Sequence, residues 1–289
     1  MEGGKPSKTA WAVAAHRAAH QILEKGRIFA DPLALRILGQ DAGIVAGDAE
    51  AHPARRAMRI FVAARSRFAE DAIAAAFDRG VRQVVVLGAG LDTFAYRSPL
   101  RDRIRIFEVD HPATQAWKRH RLEEAGIPIP KSLTFTPIDF ECQTLAEGLA
   151  AAGFDPCQQT FFPWLGVVPY LTEDAIWATL SFIAKLPGGA HVVFDYSDPP
   201  ELLPERARAL HDKRAKVVAG LGEAWVTHFD SDTLREKLAA LGFCEVEDLG
   251  PSRIAARYFP ASAGKFTERG GHILRAATMA SAQDHPVMA

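Results

Sequence analysis

Two carboxylates, Glu108 and Asp110, stand about 20 residues beyond a Gly88-Ala89-Gly90 turn. The glycines let the backbone turn tightly and approach a ligand. An acid at that distance, at the end of a second strand, can accept both hydroxyls of a ribose, with Glu108 as the first choice and Val109 beside it. The third glycine of a dinucleotide turn is replaced by Thr93, followed by Phe94, Tyr96 and Arg97. That bulk disfavours a pyrophosphate and suits a nucleoside cofactor without one. NAD, a sugar nucleotide and a purely structural turn are the competing readings.

Other residues could complete such a site. Asp139-Phe140 ends a third strand, where the acid can accept from an adenine amine and the ring can cover one face; a capping Asp with a core Phe is the plain alternative. Arg65, midway along an arginine-rich helix, is the candidate to pair with a cofactor carboxylate, although most helix arginines are solvated. Tyr170, in a loop after the fourth strand, stands where open α/β sheets bind ligands. His111, Asp195 and His228 are the remaining candidates for proton transfer, each weighed against a local hydrogen-bonding role.

The elements that must hold these residues follow from periodicity. Residues 83–87, 103–107, 133–137, 160–168 and 191–194 are short apolar runs of buried parallel strands, and 243–247 and 272–278 are expected as a terminal antiparallel pair. Residues 254–259 are a further strand candidate. Helices are predicted over 11–25, from Pro32 with Asp31 as cap, over 54–79, from Pro112 to Glu124, over 145–152, 173–185, 201–225 and 232–241. Residues 39–53 read as a turn-rich loop and the last eleven as a frayed tail. The expected organisation is a helical amino-terminal cap over 1–80 and an α/β core over 81–289, with an inserted cap at 198–228 that closes over substrate.

The 289 residues bury a sizeable core, and a formal charge of −1 gives no electrostatic ground for a nucleic-acid partner. Cys142, Cys157 and Cys244 lack metal-site or C-x-x-C spacing, so neither zinc nor a thiol relay is expected. No apolar stretch is long enough to span a membrane, and a cytoplasmic protein, monomer or homodimer, is the expectation.

Taken together, VLGAGLDTFAYR (86–97), FEVDHP (107–112), ARSRF (64–68), WLGVVPYLT (164–172) and FADP (29–32) resemble the leucine carboxyl methyltransferase-like family, including its bacterial O-methyltransferase branch. The resemblance covers roughly residues 11–278. It implies a class I methyltransferase fold: an α/β, Rossmann-like, seven-stranded and mainly parallel sheet with the last strand antiparallel, a helical amino-terminal cap and an inserted helical segment. It implies S-adenosyl-L-methionine as cofactor, with Gly88, Ala89 and Gly90 along its methionine part, Arg65 on its carboxylate, Glu108 and Val109 at the ribose, and Asp139 with Phe140 at the adenine. The methyl group would go to a carboxylate or hydroxyl oxygen of a small molecule or a peptide carboxyl terminus. Two positions depart from the family pattern: Phe94 stands in place of an arginine, and Leu165-Gly166 in place of Glu-Gly. The alternatives are an NAD-dependent oxidoreductase and a methyltransferase fold that binds without catalysis.

Overall fold

The computed structural model describes residues 7–220 and 223–280. Its first half opens with four helices, α1 (Lys8–Leu23), α2 (Ala34–Leu38), α3 (Ala42–Ala51) and α4 (Arg56–Asp78). Seven strands and seven further helices follow: β1 (Gln83–Leu87), α5 (Phe94–Arg97), β2 (Arg105–Asp110), α6 (Pro112–Glu124), β3 (Leu133–Pro137), α7 (Leu145–Ala151), β4 (Thr160–Trp164), α8 (Glu173–Ala184), β5 (Ala190–Ser197), α9 (Glu205–Ala219), α10 (Ser231–Ala240), β6 (Glu245–Leu249), α11 (Pro251–Tyr258) and β7 (Gly271–Ala277). The sheet order is β3-β2-β1-β4-β5-β7-β6. All pairings from β3 to β5 are parallel, and β7 runs antiparallel to both β5 and β6. This is the class I methyltransferase sheet that the sequence implied. The order reverses between β1 and β4, so the loops after those strands part and leave a crevice at their carboxyl ends.

The central strands are buried on both faces, which is why β1 reads QVVVL and β4 TFFPW without polar alternation. One apolar cluster joins Val84, Val86, Ile106 and Phe161 of the sheet to Ala14 and Ala18 of α1 and to Phe68 and Ile73 of α4. The amino-terminal helices therefore share a core with the sheet. The opposite face is closed by α7, α8 and α10 through Leu149, Ile176, Leu180 and Leu234. No helix among the described residues is long and apolar enough to cross a membrane. All three cysteines are exposed and unpaired.

Several expectations are corrected. The turn-rich stretch 39–53 contains α3, started by the Asp41 carboxylate, which accepts the Gly43 N–H at 2.7 Å. The candidate strand 254–259 is α11: Gly250 and Pro251 start a helix, and Ile254 and Ala255 are its buried side. The helix expected from Pro32 begins at Ala34; Asp31, fully buried, accepts the Leu33 N–H at 3.2 Å in the turn before it and also pairs with Arg17 at 2.9 Å and Arg97 at 3.4 Å. The second strand starts at Arg105 and runs through Asp110, so Glu108 lies inside it rather than past its end. The frayed tail expected over the last eleven residues lies mostly outside the described residues.

Candidate active site

The turn after β1 has the backbone that its glycines permit. Gly88 and Gly90 hold φ of +64° and +44°, and a Cβ at Gly88 would meet Val167 Cγ2 at 2.4 Å. Gly90 is covered by α1, where Ala10 Cβ would stand 2.9 Å from an added Cβ. The Gly90 N–H donates to Asp110 Oδ2 at 2.6 Å, and the His111 N–H donates to Oδ1 at 2.7 Å. Asp110 is thus the acid at the mouth of the glycine turn, half-buried, with burial holding its carboxyl above the usual range.

Glu108, two residues earlier in the same strand, is fully buried. Lys118 Nζ of α6 stands 2.7 Å from its Oε2, and the Tyr96 hydroxyl donates to the same oxygen at 3.2 Å. Burial pushes the carboxyl up to about 7 against the pull of Lys118. The expectation that Glu108 reaches a ribose meets a fully buried side chain whose Oε2 is taken by Lys118 and Tyr96, because β2 extends three residues beyond the end of its expected run. Val109, on the opposite side of the strand, packs into the core with Leu87. The backbone carbonyl of Val109 accepts the Ala89 N–H at 3.0 Å, which ties the turn to β2.

Asp139 follows β3 and starts a turn, accepting the Glu141 N–H at 3.0 Å. Phe140 beside it is 60% exposed, a ring with no place in the core. Both lie at the carboxyl end of the strand next to β2, on the side of Asp110.

Arg65 leaves the middle of α4 and is buried beneath the β4 loop. Its Nη1 donates to Asp195 Oδ2 at 2.7 Å, and the Gly166 N–H donates to Oδ1 at 2.6 Å. Asp195, near the end of β5, therefore puts a carboxylate next to Leu165-Gly166, paired with Arg65. Gly166 must be glycine: its φ is +72°, and a Cβ would lie 2.5 Å from Arg65 Nη2. Arg65 Nε is buried without a hydrogen-bond partner among the described residues, so the guanidinium keeps a donor uncommitted to them.

The four proton-transfer candidates do not converge. Asp195 is the partner of Arg65 and Gly166. Tyr170 ends a short 3₁₀ turn over Val168–Tyr170, close enough to Arg65 and Asp195 to feel their charges; burial first of all raises its phenol, which stays protonated at neutral pH. His111 caps α6, its Nδ1 accepting the Ala113 N–H at 3.2 Å. His228 pairs Nε2 to Nε2 with His211 of α9 at 3.0 Å, and burial followed by His211 lowers its pKa. His228 also lines an open hollow of about 430 Å³ with Thr172, Glu173, Pro200 and Val226, away from Gly88 and Asp110.

Sequence reasoning missed the partners that fix these groups. Lys118 and Tyr96 had no signal beyond being a basic and an aromatic residue near an acid. The FADP segment and the Tyr96-Arg97 pair prove to be one latch: Asp31 joins Arg17 and Arg97, while Arg97 also pairs with Glu70 and stacks on Phe29.

The residues present fit an adenosyl amino acid. The Cβ-free turn at Gly88 and Gly90, the acid at Asp110, the exposed ring of Phe140 and the unpartnered Nε of Arg65 form a cradle along the carboxyl edge of β1 to β4. Fold and cradle together define a class I S-adenosylmethionine-dependent methyltransferase. Residues 10–184 match the model of the leucine carboxyl methyltransferase family, and the chain belongs to that family. It is 34% identical over 198 residues to the Bacillus subtilis (strain 168) protein "Putative S-adenosyl-L-methionine-dependent methyltransferase YktD", across 68% of this chain and 65% of that one. The match thus spans just under two thirds of the Bacillus protein. A Mycobacterium sp. (strain JLS) protein of the same description is 32% identical over 225 residues, across 69% of this chain and 72% of that one. A solved DUF574 family protein from Streptomyces avermitilis has a TM-score of 0.53 at 14% identity, covering 91% of this chain and 97% of that one, a likeness of fold alone.

Proposed function

We propose that the chain transfers a methyl group from S-adenosylmethionine to an oxygen of a small molecule or a peptide carboxyl terminus, and that the acceptor oxygen belongs to a carboxylate. The observation that carries this reading is the acceptor side of the crevice, where the buried Arg65–Asp195 pair and a protonated Tyr170 stand with His16, an imidazole that burial and the arginines around it lower to about 4, too weak a base to deprotonate a hydroxyl. The cofactor's sulfonium supplies an activated methyl. A carboxylate is already ionised at neutral pH, so the protein needs to hold it in line and exclude water, not deprotonate it. A hydroxyl acceptor, the second reading, would need one of His111 or His228 to leave its present partner.

In this reading Gly88, Ala89 and Gly90 line the methionine chain, and Arg65 turns its spare donor to the amino-acid carboxylate. Asp110 takes the ribose hydroxyls in place of Glu108, since it lies at the strand end on the glycine turn. Asp139 accepts from the adenine amine while Phe140 covers the ring. Residues 1–80 and the segment 198–228 act as the two covers of the site.

Calorimetry with S-adenosylmethionine, S-adenosylhomocysteine and NAD tests the cofactor side: binding of the first pair without NAD supports the reading, and binding of NAD alone replaces it with an oxidoreductase. Incubation with methyl-labelled cofactor and an extract of the producing cell tests the acceptor. Label released by mild base indicates a carboxyl ester; base-stable label moves the reading to a hydroxyl. Cofactor binding with no transfer to any extract component favours a fold that binds without catalysis.

A further inference from the structure

The inserted helix α9 turns an unusual face to the body of the protein. Its half-buried positions are Ala207, His211, Arg214, Ala215 and Val218, at helical spacing, and every other residue of the helix is exposed. The larger apolar residues Leu210 and Val217 point to solvent. Small residues and a basic one on an inward face leave room rather than fill it.

Arg214 is the one permanently charged residue of that face. Its Nη2 is buried and has no hydrogen-bond partner among the described residues. Elsewhere the inward arginines are each matched to an acid: Arg17 to Asp31, Arg59 to Glu24, Arg65 to Asp195 and Arg97 to Glu70. Burial lowers the Arg214 guanidinium with no carboxylate acting against it. Arg214 stands on the helix whose following segment lies against the loop after β4, the Val226 N–H donating to the Pro169 carbonyl at 2.8 Å. Arg214 and Arg65 both act on His16 of α1, as do Arg59 and Arg55, and together with burial they keep that imidazole neutral, down to about 4. One turn before it, His211 packs on Trp225 with ring centroids 5.3 Å apart, and Trp225 lies within hydrogen-bonding reach of Tyr170.

We propose that Arg214 is a binding residue for a carboxylate of the methyl acceptor, held from the cap on the far side of the crevice from Arg65. A buried guanidinium nitrogen without a partner is costly even where the rest of the group is half-exposed, and a planar fork of donors is matched by a planar pair of oxygens. The acceptor itself completes the pair, so α9 becomes fastened when an acidic acceptor enters. The assignment rests on the methyltransferase reading above and names the residue that would hold its acidic acceptor.

The test uses the full chain saturated with S-adenosylhomocysteine and titrates benzoate against benzamide, which share shape and differ in charge. The wild type is expected to prefer benzoate by about tenfold or more. Arg214→Gln should reduce that preference to about threefold or less while S-adenosylhomocysteine affinity stays within about twofold. Arg214→Lys, which keeps the charge and loses the fork, should fall between them, and it answers the question if the glutamine variant does not fold. A preference unchanged in the folded variants, or no preference in a wild type that binds S-adenosylhomocysteine, overturns the assignment to Arg214 alone. A wild type that does not bind S-adenosylhomocysteine overturns the reading beneath it.

Discussion

Glu108 and Asp110 sit two residues apart on one strand, and replacing each by its amide separates a cofactor contact from a buried support. Glu108→Gln leaves Lys118 in the interior without its counter-charge. Breaking a buried pair on one side costs about 3–5 kcal/mol, and the lower end applies here because a carboxyl raised to about 7 is already half protonated at neutral pH. At about 2–4 °C per kcal/mol the melting temperature should fall by roughly 6–12 °C, with S-adenosylhomocysteine affinity within about threefold of wild type. Asp110→Asn keeps an acceptor for only one of the Gly90 and His111 N–H groups, which donate to different oxygens, so stability should fall by about 1–3 kcal/mol. Its further loss is in ligand binding: a hydrogen bond to a charged group is worth about 1.5–3 kcal/mol, which raises the dissociation constant roughly 10- to 150-fold. Scanning calorimetry and titration with S-adenosylhomocysteine read the two quantities on the same samples. A Glu108→Gln protein that melts like wild type but binds ten times more weakly, beside an Asp110→Asn protein that binds normally, would refute the reasoning.

The other expectations are shorter. His272 sits between Asp198 and Asp248 at 3.0 Å from each, and their hydrogen bonds and charges outweigh burial to raise it to about 9. Its contribution is complete below its ordinary 6.5 and is lost as pH rises through about 9, a total of about 3 kcal/mol. The melting temperature of the wild type should therefore drop more steeply over that window than that of His272→Gln. Phe140→Ala removes an exposed ring, so stability should hold within about 0.5 kcal/mol while S-adenosylhomocysteine affinity falls about five- to tenfold; titration with unchanged affinity would remove Phe140 from the adenine site. Gly166→Ala forces a Cβ onto Arg65 Nη2 at a φ of +72°, and should cost about 1–2 kcal/mol and weaken cofactor binding with it, both measured as above.

The sheet was legible because β1 and β4 are buried along their whole length and carry that fact in nearly unbroken apolar runs, while the edge strand β3 shows itself by its alternating LTFTP. The strand at 254–259 was misread since Ile254, Ala255 and Tyr258 are too few to separate a period of two from one of 3.6; Gly250-Pro251 was the overlooked start signal. α3 was hidden by its composition, alanine and glycine with one buried side chain, Val45. In the site, spacing placed an acid after the second strand but could not choose between Glu108 and Asp110. That choice depends on where β2 stops, and strand ends are set by pairing with β1 and β3 rather than by local preference. The replacement of the family's Glu by Leu165 looked like a lost carboxylate. Asp195, thirty residues on in sequence and on the neighbouring strand, places a carboxylate beside that position, where it accepts the Gly166 N–H, and only the β4–β5 register brings the two together.

The amino-terminal helix links the two halves of the crevice. At its start, Ala10 lies against Gly90 of the cofactor turn. The same end is bonded to the cap: Glu223, just beyond α9, accepts from the Lys8 N–H at 3.1 Å and from the hydroxyls of Ser7 and Thr9. Two turns on, His16 faces the arginines of α4 and α9. An element in contact with both sites changes its own stability when either is filled, because a ligand that orders α1 spares the second ligand that cost. Cofactor and acidic acceptor should consequently bind with positive coupling, and the coupling should be reciprocal. Glu223→Gln weakens the tie between α1 and the cap without touching either ligand's contacts. It should therefore lower the gain in benzoate affinity that S-adenosylhomocysteine confers, by about 1 kcal/mol or fivefold, and leave affinity for S-adenosylhomocysteine alone unchanged. Titrations of benzoate with and without S-adenosylhomocysteine measure that gain directly, and equal gains in wild type and variant would show that α1 does not carry the coupling.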